Sequence, residues 1–75
     1  MAIDPGAKTG TAIRRNWQSV KEANPTSKID PMAQTFRQCQ RNFQIWTVEH
    51  PTSKIKPCPK NETEVRRNFA IMSGE

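Results

Sequence analysis

No tyrosine, one histidine, two cysteines and three glycines occur among 75 residues, and each shortage closes off a class of function. Cys39 and Cys58 stand 19 apart with no Cys-x-x-Cys spacing and only His50 for company, which is no zinc site, so no metal is expected. With a lone histidine, no nucleophile beside a base and no Gly-rich phosphate loop, there is nothing from which to assemble catalytic residues or a cofactor pocket. The expectation is a protein that is not an enzyme. No apolar run approaches the ~20 residues of a membrane span. The start of the chain reads neither as a signal peptide nor as an Arg-rich transit peptide. Reduced thiols and an intracellular setting, in cytoplasm, cytoskeleton or organelle interior rather than secreted, follow as expectations.

Apolar residues are also scarce, at 33% with a mean hydropathy of −0.86, where ~45–50% is usual. Much of the chain must stay wet. Twelve basic against seven acidic residues give a net charge of +5, which favours anionic partners. The acids are interspersed, and the longest basic runs are only Arg14-Arg15 and Arg66-Arg67, so there is no basic tail.

What the sequence does have is an internal period of 26. Arg15-Asn16-Trp17, Arg41-Asn42-Phe43 and Arg67-Asn68-Phe69 fall at that interval, as do Pro25-Thr26-Ser27-Lys28-Ile29 and Pro51-Thr52-Ser53-Lys54-Ile55. Pro5–Asp30 and Pro31–Lys56 share 11 of 26 residues, and the third copy matches the second at six of 19 positions. Three units follow: 5–30, 31–56 and a truncated 57–75. A short period of this kind marks an array.

Helical spacing of apolar residues appears in each unit. Ile13, Trp17 and Val20 form a stripe between Thr11 and Ala23, which Asn24-Pro25 ends. Asp30-Pro31 predicts the cap and first residue of a second helix reaching Glu49, with Phe36, Cys39, Phe43 and Trp46 on its stripe. Asn61, with Glu64 three residues on, predicts the start of a third helix carrying Val65, Phe69 and Met72 to about residue 72. The fold class expected is all-α, with three short amphipathic helices joined by extended Pro-Thr-Ser-Lys-Ile linkers. Helices of this length are marginal alone. The stripes by themselves offset too little of the entropy of ordering, so the chain is expected to be non-globular until bound to partners.

At ~100° per residue, Trp17, Phe43 and Phe69 lie in the stripes, the preceding Asn flanks them, and Arg15, Arg41 and Arg67 point away. An arginine kept at all three outward positions suggests a bidentate contact with a carboxylate or phosphate; a duplication not yet diverged there explains it equally simply. The linkers are either recognition segments, with Ile29 and Ile55 entering a partner's pocket, or stiff spacers. The partner-binding candidates are therefore Arg15, Asn16, Trp17, Arg41, Asn42, Phe43, Trp46, Arg67, Asn68, Phe69, Ile29 and Ile55.

Three functions fit these features. One is a structural or adaptor protein whose repeats dock multivalently along a larger protein assembly with an acidic surface: a filament, tubule, capsid or multi-subunit complex. A second is a nucleic-acid-binding module, with cations on phosphate and aromatics on bases, disfavoured by the dispersed charge. The third is an autonomous three-helix bundle serving as a binding domain.

Overall fold

Side chains at each end decide where the helices run. α1 (Gly10–Ala23), α2 (Phe36–Glu49) and α3 (Glu62–Gly74) are the three helices of a computed structural model that describes residues 3–74, and no strand occurs among them. Met1, Ala2 and Glu75, assigned from sequence to an irregular start and to the third unit, lie outside the described residues.

Thr9 caps α1 by accepting from the Ala12 N–H, and Thr35 caps α2 in a full capping box with Gln38. Asn61 accepts from the Glu64 N–H at 2.9 Å at the start of α3. Asp30-Pro31 therefore does not open α2. The Asp30 carboxylate instead accepts from the Met32 N–H, and the Asp30 carbonyl from the Ala33 N–H, closing a tight turn. Thr35 with Gln38 supplies the better cap five residues later.

The helix ends follow from proline. Asn24 and His50 share φ −131°, with ψ 72° and 74°, because Pro25 and Pro51 exclude the helical region for the residue before them. The Ser27 N–H then donates to Asn24 and the Ser53 N–H to His50, both at 2.9 Å. Pro-Thr-Ser is thus a turn in each case, and the connections are not extended spacers.

At the centre Trp17, Phe43 and Phe69 meet, one ring from each helix, with centroids 4.9, 5.2 and 5.3 Å apart and interplanar angles near 60°. Such edge-on packing satisfies the ring quadrupoles. One turn towards the helix starts lie Ile13, Cys39 and Val65, and one turn towards their ends Val20, Trp46 and Met72, all packed in or against the same core. Phe36 does not join its stripe. It is 41% exposed at the first residue of α2, where the other helices carry Gly10 and Glu62 and offer no ring to meet it.

The chain is not an open string of helices. Its radius of gyration is 10.6 Å, against about 11 Å for a compact domain of this length. The missing burial comes from the connections: Ile3, Ile29 and Ile55 enter the core with Ala33, and Ala7 and Pro59 are buried as well. Counting the helical stripes alone leaves these residues out.

Candidate functional site

Asn16, Asn42 and Asn68 are each at most 2% exposed, and each spends its amide inside the chain. The Asp4 N–H donates to Asn16 Oδ1 while Asn16 Nδ2 donates to the Asp4 carbonyl, both at 2.9 Å. Asn42 does the same with Asp30 at 3.0 Å, and Asn68 with Lys56 at 2.9 Å. A side-chain amide carries one donor and one acceptor at the spacing of a peptide group, so it holds an unpaired backbone segment as a neighbouring strand would. Each clamp seats the isoleucine before it: Ile3, Ile29 and Ile55.

The aromatic candidates are equally committed. Trp17, Phe43 and Phe69 are fully buried, and Trp17 Nε1 donates to Cys39 Sγ at 3.4 Å. Trp46 is 3% exposed, donates to Ser53 Oγ at 3.3 Å, and has His50 stacked on its ring at 3.9 Å. In this conformation no aromatic, asparagine or linker isoleucine of the candidate set is presented to a partner. Arg15, Arg41 and Arg67 are exposed, on the outward faces of three different helices, and none forms an ion pair among the described residues.

Arg41 borders two concave surfaces. One depression of about 450 Å³ is lined by Lys28, Asp30, Arg37, Gln38, Arg41 and Ile45. A second, of about 390 Å³, adjoins it along α2 and is lined by Lys28, Arg41, Gln44, Ile45, Val48 and Glu49. Val48 is 80% exposed, so the second depression has an apolar lip.

The wall opposite α2 is the connection around Lys28, and Glu49 fixes it. Glu49 Oε1 accepts from the Ser27 hydroxyl at 2.6 Å, and Oε2 from the Lys28 N–H at 3.0 Å. Lys21 Nζ donates to the Ser27 carbonyl behind them. The Ser27 hydroxyl bond, with help from the Lys28 N–H, holds the Glu49 carboxyl below its ordinary range against the opposing effect of burial. Its oxygens are thus engaged within the fold, while Arg37 and Arg41 have no carboxylate partner among the described residues.

Lys28, Arg37, Ile45 and Val48 were absent from the sequence-derived candidates, which favoured positions kept between units. For two of them the signal lay in divergence: Arg37 stands where the other units have Thr11 and Thr63, and Val48 where they have Glu22 and Gly74, whereas Lys28 recurs as Lys54 and Ile45 as Ile71.

A third cleft, about 220 Å³, lies among the first residues of the helices, Gly10, Phe36 and Glu62. Of the two cations lining it, Lys8 and Arg66, Arg66 is already 3.7 Å from Glu62. The buried Cys39 thiol at its base is pushed up in pKa by desolvation, in spite of the Trp17 N–H. No helix of the described residues is long and apolar enough to cross a membrane. Compared with known protein families, curated proteins and solved structures, the chain matches none.

Proposed function

We propose that the chain is a non-enzymatic binding module that docks, through the outer face of α2 and the adjoining Lys28 connection, onto an acidic surface of a larger protein assembly. The observation that carries this is the pair of adjoining depressions, cationic at one end and apolar at the other, which share Lys28, Arg41 and Ile45. Unpaired cations beside an exposed aliphatic lip suit a partner offering carboxylates around an apolar contact.

The same 26-residue unit is read three times over in this proposal, supported by the clamps of Asn16, Asn42 and Asn68 at that interval. Multivalent docking through every unit loses its footing, since the aromatics and linker isoleucines that would have anchored it are buried. Stacking of bases on Trp17 or Trp46 meets the same objection. Support for a binding role over catalysis is that the one histidine lies stacked on Trp46 and the buried asparagines are spent on backbone.

The test is affinity capture on the full chain, read by mass spectrometry, with two control variants. Arg41→Glu combined with Val48→Ser should abolish capture of the partner assembly, and Arg15→Glu combined with Arg67→Glu should leave it intact. The reverse pattern would move the docking face off α2.

A further inference from the structure

Resting on that docking face, we infer that its occupant is an extended segment bearing a phosphorylated side chain, with an aliphatic residue two or three positions away. The phosphate sits between Arg37 and Arg41, and the aliphatic side chain on Ile45 and Val48.

Charge makes the first part of the case. Arg37 and Arg41 are four apart on α2, so they face the same side as neighbouring like charges, an arrangement that destabilises an isolated helix. Lys28 adds a third cation from across the depression, and Asp30 is the single carboxylate lining it. Glu49 of the adjoining depression is the second carboxylate of the face, but Asp30 and Glu49 accept from backbone N–H groups and the Ser27 hydroxyl, and neither pairs with the two guanidinium groups of Arg37 and Arg41. A carboxylate would neutralise one of them, whereas a phosphomonoester carries about −1.5 to −2 at neutral pH and offers three oxygens to two guanidinium forks.

Divergence between units makes the second. The positions equivalent to Arg37 are Thr11 and Thr63, so the doubled arginine belongs to α2 alone. Val48 stands where the other units have Glu22 and Gly74, while Ile45 has its like in Ile71 of the third unit. Arg37 and Val48 are therefore peculiar to α2, on one face of that helix.

Spacing makes the third. From Arg41 to Ile45 is about 6 Å along the helix axis, and from the middle of the arginine pair to the middle of Ile45 and Val48 about 11 Å. Extended chain advances about 3.3 Å per residue, so two or three residues cover that range.

The test is a titration of the ¹⁵N-labelled full chain, followed by amide chemical shifts. The ligand is an Ala/Gly peptide carrying phosphoserine with leucines two and three residues on. Comparison ligands carry serine or glutamate for phosphoserine, or serine for both leucines, and a further arm uses phosphatidylserine vesicles against phosphatidylcholine.

The proposal expects shifts confined to residues around Lys28, Arg37, Arg41, Ile45 and Val48, and binding about tenfold tighter than for the serine or glutamate peptide. Arg37→Gln with Arg41→Gln should bring the phosphopeptide down to the serine peptide's level, and loss of the leucines should weaken it about fivefold. Retained amide dispersion shows that the variant is folded.

Equal binding of glutamate and phosphoserine peptides overturns the phosphate assignment and leaves the acidic docking surface standing. Absence of shifts with every peptide overturns both. Tighter binding to anionic vesicles than to the phosphopeptide, lost in the double arginine variant, assigns the face to a lipid surface and overturns the proposal.

Discussion

Asn42 and Asp30 are tied by two hydrogen bonds of 3.0 Å across 12 residues of chain, the amide of one side chain pairing with both backbone groups of the other residue. This clamp is what turns a proline-bearing connection into part of the core, because it fixes Asp30 beside α2 and Ile29 beneath it.

Removing the clamp should therefore cost stability out of proportion to its size. Asn42→Ala strands the Asp30 N–H and carbonyl, at about 1–3 kcal/mol for each group left unmade. Asn42→Asp keeps the acceptor but buries a carboxylate at a position 1% exposed, and should destabilise at least as much at neutral pH. Urea unfolding followed by circular dichroism measures both. A loss under about 0.5 kcal/mol, the range of neutral surface changes, would mean that the connection holds itself.

The central rings should behave as one cooperative unit. Phe43→Ala is expected to cost about 3–5 kcal/mol, which is most of the stability available to a small domain. Phe43→Leu keeps an apolar filling but loses two ring contacts, and should cost about 1–2 kcal/mol. Phe36→Ala, on the exposed rim, should cost less than about 1 kcal/mol. Thermal melts of the three variants would rank them. A broad, non-cooperative melt of the parent chain would contradict the compact core itself.

Periodicity made the helices legible. Trp17, Phe43 and Phe69 were identifiable as stripe residues, and Pro25 and Pro51 as helix ends, because both rest on local backbone and side-chain geometry. The clamps were not legible. Arg-Asn-aromatic stood out as a conserved triplet within the chain, but nothing in a local pattern tells an asparagine that faces a partner from one that faces its own backbone 12 residues earlier. Burial of Ile29 and Ile55 was missed for the same reason, since a short apolar residue between prolines carries no period. The docking face was obscured by attention to what the units share, when Arg37 and Val48 mark where they differ.

Thiol reactivity should separate the two cysteines cleanly. Cys58 is exposed, whereas Cys39 lies at 1% exposure with its thiol pKa raised by burial. A thiolate-specific reagent at mildly alkaline pH should therefore titrate one thiol per chain quickly and the second only in denaturant. Cys58→Ser should leave no fast-reacting thiol. Rapid modification of Cys39 in the native protein, mapped by peptide mass spectrometry, would show that the cleft among the helix starts opens down to the core.

Acid should loosen the Lys28 connection before it unfolds the rest. The Glu49 carboxyl is held below its ordinary value near 4.5, first by the Ser27 hydroxyl, against burial, and then by the Lys28 N–H, with smaller electrostatic help from neighbouring side chains. A depressed folded-state pKa contributes stability that is fully present above the ordinary value and is lost as pH falls through the folded one. The stability difference between the parent chain and Glu49→Gln should accordingly be constant near neutrality and shrink as pH is lowered through and below the ordinary value near 4.5. Glu64, whose carboxyl is also held low by the Lys60 N–H, is present in both proteins and cancels from the comparison. Ser27→Ala removes the largest cause of the shift and should reduce the acid-sensitive part, leaving what the Lys28 N–H maintains. Amide shifts of Lys28 and Ser27 followed through the same titration would locate the event. A pH-independent difference between the parent and Glu49→Gln would mean that the carboxylate acts only through its shape, and that the wall of the docking face is held by the turn at Pro25 alone.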